Sequence, residues 1–273
     1  MQLQSAKERF EAQGLKLAAI SYDSEAILKD FASRHKIDFP LLADPHSETI
    51  RSFGVLNREA KGMTAGMAYP GFFYVDANGV IREKYFTPKY TDRLTANNVI
   101  SKLFPELSAE VTQNVEVPHL HLVLAQSDRS VIPGGRVSLI AEIELPPDVH
   151  VYSPGVQGYK PIQFTLSPVP GVEFQPVVYP SSKTLYLEAI QEHVPVFEGK
   201  FWITQDLTVT PSRLSDGLRA VFSKERTISI TGDLKYQACD RTVCYPPASV
   251  PVKWELKILP LDLKRSPKGI QHK

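Results

Sequence analysis

The feature that most constrains this chain is how unevenly its prolines fall. Of 22 prolines, 4 lie in residues 1–104 and 18 lie after them. Proline has no backbone N–H and is confined within sheets to strand ends, edges and bulges. A stretch so rich in it cannot be built from long helices, whereas the first stretch can. With 273 residues, the chain has room for two domains of different character. Hydrophobic residues make up 42% and charged residues 22%, enough to bury a core and to exclude global disorder.

Charge excludes further classes. Lys and Arg number 31 against 30 Asp and Glu. Splitting after residue 110 leaves 14 basic and 14 acidic residues before, 17 and 16 after. Neither half carries the excess of a nucleic-acid or membrane-surface binder. No apolar run approaches the ~18 residues of a membrane helix, and no basic-then-apolar signal pattern opens the chain.

The first segment alternates helix and strand. Gln2–Gln13 reads as a helix stopped by Gly14, and Leu15–Ile20 as a buried strand. Asp23 or Ser24 caps a helix with Ile27, Leu28, Phe31 and Ala32 on one face. Phe39–Ala43 is extended and Ser47–Phe53 a short helix. Phe72–Val75, a turn ending at Gly79, and Val80–Phe86 form a hairpin. Thr91 caps a last helix running to about Leu103. The expected class is α/β for this part.

GLKLAAISYDSEAILKDFASRHKIDFPLLADPHSETIRSFGV and AYPGFFYVDANGVI resemble the redoxin group of the thioredoxin fold, the AhpC/TSA peroxiredoxins and their TlpA-like relatives, over about residues 2–104. The resemblance implies a cis peptide at Tyr69–Pro70, and a trans bond there would end the assignment of Pro70 as that fold's cis-proline. It also implies a reactive cysteine at a helix N-terminus, where dipole and free N–H groups favour thiolate. Here the helix at Gln2–Gln13 looks like the remainder of that helix, and no cysteine precedes residue 239. A strand normally central between the equivalents of Leu15–Ile20 and Phe72–Val75 is expected to be missing. Each buried backbone group left unpaired costs about 1–3 kcal/mol. The expectation is a thioredoxin-like domain over 1–108 that lacks its first strands and nucleophile, either as a fragment of a longer protein or as a degenerate scaffold. As given, this segment cannot perform thiol peroxidase chemistry.

After a linker or lead-in strand at 109–118, the hydrophobic period switches to two. Strands are expected at His119–Ala125, Arg136–Leu145, Val149–Tyr152, Ile162–Leu166, Val172–Val178, Val194–Thr210, Arg226–Ala238 and Val250–Leu259. Short strands with Pro/Gly punctuation argue an antiparallel β-sandwich over 119–260, with 261–273 as a tail.

Both cysteines, Cys239 and Cys244, fall in TGDLKYQACDRTVCYPPASV. A structural disulfide there would close a loop of about six residues, worth roughly 2 kcal/mol, a weak staple for such a domain. Zinc would need His119, His121 or His193 to converge on the pair, so no metal or cofactor is expected. A redox pair is the third reading: Arg241 would favour thiolate, Asp240 would oppose it, and Tyr236 and Tyr245 would shield the sulfurs.

YQACDRTVCYPP, supported by VIPGGRVSLIAEIELPPDVHVYSPG, resembles the redox segment of the DsbD N-terminal domain, an immunoglobulin-like sandwich, over about 119–260. The CxxxxC spacing is one residue shorter than in the best-known member. The resemblance implies thiol–disulfide exchange with thioredoxin-like partners, an extracytoplasmic, periplasmic setting, and a cap loop somewhere in Lys183–Phe197. In an intact protein its own N-terminal domain would also be a partner, at an effective concentration of about millimolar. The rival expectation is a non-catalytic binding module with a structural Cys239–Cys244 bond.

Overall fold

The computed structural model describes residues 2–87, 92–104, 110–187, 191–210, 225–260 and 267–270. The chain divides into two compact units, one reaching Ile100 and the other spanning Ser101–Pro260. Thr91 and most of the tail expected at 261–273 lie outside the described residues.

In the first unit, helix α1 (Gln2–Glu11) precedes β1 (Ala19–Ser21), α2 (Glu25–His35) and β2 (Leu41–Ala43). β1 and β2 pair in parallel, with α2 as the crossover. Helix α3 (Glu48–Ser52) starts where the Asp44 carboxylate accepts hydrogen bonds from the Glu48 and Ile50 backbone N–H groups, both at 2.9 Å. β3 (Gly71–Val75) and β4 (Ile81–Phe86) form the expected hairpin. Its turn is held by Asp76, whose Oδ1 accepts from the Asn78 and Val80 N–H groups, and Gly79 supplies the positive φ of 79°. β5 (Arg93–Leu94) leads to α4 (Ala96–Leu103), capped by Thr95 Oγ1 on the Asn98 N–H.

β1–β2 and β3–β4 remain separate two-stranded sheets. No strand joins them among the described residues, and Ile20, Leu42, Phe53 and Val75 stand exposed. α2 buries none of its residues, although Ile27, Leu28, Phe31 and Ala32 form an apolar face.

The Tyr69–Pro70 bond is trans, correcting the expected cis-proline. The approach to Pro70 is extended backbone tied to the preceding segment. Leu56 and Ala68 form an antiparallel bridge, and the Tyr69 N–H donates to the Val55 carbonyl at 2.8 Å.

From residue 110 on, the described residues of the second unit form strands and turns. Its strands are β6 (Glu110–Val117), β7 (Leu120–Gln126), β8 (Ser130–Val131), β9 (Gly135–Glu144), β10 (His150–Tyr152), β11 (Gln163–Leu166), β12 (Val172–Val178), β13 (Lys183–Leu187), β14 (Glu192–Glu198), β15 (Lys200–Val209), β16 (Arg226–Tyr236), β17 (Ala238–Cys239) and β18 (Ala248–Ile258). One sheet runs β12-β15-β9-β7-β6 and another β11-β16-β18-β8. Their inner faces share one apolar core containing Leu122, Leu124, Ile143, Ile203, Leu207, Leu234, Trp254 and Leu256. This is a β-sandwich. β18 alternates strictly between exposed and buried positions from Ser249 to Ile258, as its sequence alternates polar and apolar. The buried Trp254 Nε1–H donates to the Ala125 carbonyl at 2.9 Å.

Several segments differ from their sequence reading, and Arg226–Ala238, read as one strand, divides into β16 and β17 of different sheets. Residues 110–117, open to either linker or lead-in strand, are β6 and pair with β7. The run read as a single strand, Val194–Thr210, is two strands parted at Gly199, whose φ of 64° reverses the chain. Proline keeps to the margins as expected in β12, an edge strand that carries Pro176 inside its bulge.

Candidate functional site

A third sheet, β13-β14-β10-β17, positions the cysteines. Its register pairs His150 with Cys239 and Glu198, and Tyr152 with Val196. Because side chains alternate, Val151, Phe197 and Ala238 enter the sandwich core, while Cys239, Tyr152, Val194 and Val196 form a cluster on the opposite face. Leu185, Leu187, Val156 and Tyr159 pack against that cluster.

Cys239 and Cys244 form a disulfide and a β-bridge, with Cα atoms 4.0 Å apart. Their surroundings differ. Cys239 is 1% exposed, whereas Cys244 is solvent-exposed. The Tyr152 hydroxyl lies 3.8 Å from Cys244 Sγ. Burial holds the Tyr152 phenol above its ordinary range, so it stays protonated and able to donate to sulfur.

The four residues between the cysteines are organised by Asp240. Its Oδ1 accepts from the Thr242 N–H at 2.7 Å, the Val243 N–H at 2.8 Å and the Thr242 hydroxyl at 2.8 Å. Its Oδ2 accepts from the Tyr245 hydroxyl at 2.7 Å. These bonds, the Tyr245 contact foremost, hold the Asp240 carboxyl far below the usual carboxylate range. The same contact raises Tyr245. The Asp240 N–H donates to the Val243 carbonyl and the Tyr245 N–H to the Ala238 carbonyl, closing the turn. Asp240 therefore anchors the loop, and its charge is committed to donors there.

Arg241 pairs instead with Asp148, Nη2 to Oδ1 at 2.7 Å, with both side chains exposed. Tyr245 stacks on His119 at 3.6 Å between ring centroids. Tyr236 does not shield the sulfurs. It belongs to the sandwich core, its hydroxyl donates to the Pro118 carbonyl at 2.7 Å, and burial pushes it up to about 12. Strand alternation places it on the face opposite Cys239. The aromatics of the cluster around Cys239 are Tyr152 and Tyr159, whose rings lie 4.4 Å apart. Sequence reasoning missed both, along with His150, because their meeting with Cys239 depends on the long-range β10–β17 pairing.

The segment proposed to hold a cap, Lys183–Phe197, is the β13–β14 hairpin, with residues 188–190 outside the described residues. The Tyr159 hydroxyl donates to Glu192 Oε2 at 2.6 Å and joins the Tyr152 side of the site to the turn end of that hairpin. The histidines weighed for zinc have other neighbours: His119 stacks on Tyr245, His121 Nε2 lies 3.4 Å from Glu116, and His193 lies against Tyr186.

Residues 1–84 match the AhpC/TSA family model, and residues 122–253 match that of the thiol:disulfide interchange protein DsbD, N-terminal. A peroxiredoxin of Aeropyrum pernix is 36% identical over 93 residues, 32% of this chain and 36% of that protein. The chain thus spans little more than a third of that relative's length. Among solved structures, the N-terminal periplasmic domain of ScsB from Proteus mirabilis aligns with a TM-score of 0.35 and 15% identity, covering 55% of this chain and 51% of that one. The reduced DsbD N-terminal domain of Neisseria meningitidis aligns with a TM-score of 0.28 and 13% identity, covering 43% and 75%. No helix among the described residues is long and apolar enough to cross a membrane. The chain thus joins a segment that matches the AhpC/TSA family model to one that matches the DsbD N-terminal model.

Proposed function

We propose that this chain exchanges disulfides with thioredoxin-like proteins through Cys239 and Cys244. The observation that carries this reading is the unequal exposure of the two cysteines, with residue Cys239 buried and residue Cys244 exposed. A staple serving the core gains nothing from an exposed cysteine, whereas exchange requires an accessible one.

In the reductive direction a partner thiolate attacks Cys244 Sγ. A sulfur–sulfur bond forms between partner and Cys244, the Cys239–Cys244 bond breaks, and its electron pair stays on Cys239. The partner's second thiol then displaces Cys244, leaving the partner oxidised and this chain reduced. In the opposite direction the Cys244 thiolate attacks a partner disulfide and Cys239 resolves the mixed species. Relative reduction potentials set the direction. A closed disulfide and the DsbD-type match favour an oxidising, extracytoplasmic compartment.

The test is trapping combined with a redox titration. Cys239→Ser leaves the exposed thiol and should accumulate a mixed disulfide with an oxidised thioredoxin-like protein, and Cys244→Ser should not. A potential below about −300 mV together with no trapping would instead assign the bond a structural role.

A further inference from the structure

His150 faces the disulfide from the neighbouring strand. It is the register partner of Cys239 across β10–β17. Directly opposed residues of an antiparallel pair project to the same face, with Cβ atoms about 4.5–5.5 Å apart. His150 is 2% exposed, and its Nε2 is buried without a hydrogen-bond partner. Buried polar atoms are nearly always satisfied, so an unpaired ring nitrogen beside a reactive sulfur calls for a reason.

We propose that His150 holds the proton of the buried sulfur: it takes up a proton when the Cys239–Cys244 bond opens and releases it when the bond closes. The inference rests on the exchange reading of the pair. Opening the bond leaves an electron pair on Cys239 Sγ, where little water can solvate an anion. One proton from solvent then balances the charge. It rests on the imidazole, as an imidazolium facing thiolate. Closure returns that proton to solvent as Cys239 attacks Cys244 and expels the partner thiolate.

The surroundings suit a ring that is neutral until the sulfur becomes charged. Burial lowers the proton affinity of His150, while Glu198 on β14 and Asp240 beyond β17 pull it upward. Glu198 has Lys183 of β13 3.7 Å away, and the Asp240 carboxylate already accepts from its own loop. From the same strand, Tyr152 meets the His150 ring edge-on at 5.4 Å and is held protonated by burial. The Asp148–Arg241 ion pair near the strand's start offsets its own charge. A thiolate at Cys239 is the new charge that redox turnover introduces.

The thiolate ultraviolet absorbance of Cys239 can be titrated in the full chain carrying Cys244→Ser, with and without His150→Gln. Linkage is reciprocal, so a ring that gains a proton from thiolate must favour thiolate equally. His150→Gln should lower the thiolate fraction at neutral pH by about tenfold, one unit of pKa. Superimposed curves would overturn the proposal. Should His150→Gln fail to fold, the wild-type His150 ring can be titrated by NMR in the disulfide and dithiol forms. Midpoints about one pH unit apart support it, and coincident midpoints overturn it. Trapping by Cys239→Ser is scored separately. Trapping with unchanged titrations removes His150 and leaves the exchange reading standing, whereas absent trapping removes the exchange reading itself.

Discussion

The Tyr152 hydroxyl stands 3.8 Å from Cys244 Sγ, on the exposed side of a disulfide whose other sulfur belongs to a buried residue. A phenol kept protonated by burial can donate to that sulfur as it leaves in the second exchange. Tyr152→Phe keeps the ring and removes the donor. One hydrogen bond is worth about 0.5–1.5 kcal/mol, so reduction by a small dithiol should slow by roughly 2- to 10-fold. The thermal midpoint should barely move. Stopped-flow reduction and a melting curve check both halves, and an unchanged rate would leave the contact without a chemical role.

Unequal exposure predicts unequal alkylation. After reduction under native conditions, brief iodoacetamide treatment should label Cys244 and spare Cys239. Mass spectrometry of the Cys-containing peptide reads this directly. Equal labelling of both cysteines would mean that the burial of Cys239 does not outlast reduction.

The Asp240 carboxylate predicts a pH window. Its folded-state pKa lies below the unfolded value of about 3.9. A depressed carboxyl contributes stability that is present above the unfolded pKa and is lost as pH falls through the folded one. Asp240→Ala should therefore lower the melting midpoint at neutral pH, and the gap to wild type should close as pH drops below about 4. Melting curves across the acid range test the sign. A gap that is constant with pH would mean the carboxylate charge is not what closes the turn.

How much of this was legible in the chain depends on the range of the interaction. The polar–apolar alternation of β18 is written residue by residue, so both the strand and its buried face can be read from sequence. The cysteines are local and equally readable, whereas Asp240, read only as opposing thiolate, holds the turn through bonds to Thr242, Val243 and Tyr245. Gly199 was a visible break inside Val194–Thr210, yet strands on both sides of it continue the same apolar pattern. His150 and Tyr152 could not be assigned, because nothing local to HVY says that it pairs with Cys239 and Val196. Tyr236 misled for the same reason: nearness in sequence suggested a shield, whereas alternation placed it in the core. In the first unit the secondary-structure order was readable, but the expected cis bond was an implication of resemblance and the backbone at Pro70 does not adopt it.

Tyr159 offers the opposite sign from Tyr152. Its hydroxyl donates to Glu192 Oε2 at 2.6 Å, and that contact pushes the phenol up to about 12. The bond therefore persists across the neutral range and ties the Tyr159 ring, packed on Tyr152, to the β13–β14 hairpin. Tyr159→Phe and Glu192→Gln loosen the same clasp from its two ends. Each should expose the disulfide more often and speed its reduction by roughly 2- to 5-fold, within the range of one surface hydrogen bond. Because both remove one interaction, the double variant should be no faster than either single. Additive acceleration would mean that the two residues act on the disulfide separately, and slowed reduction would mean that the hairpin assists attack on Cys244.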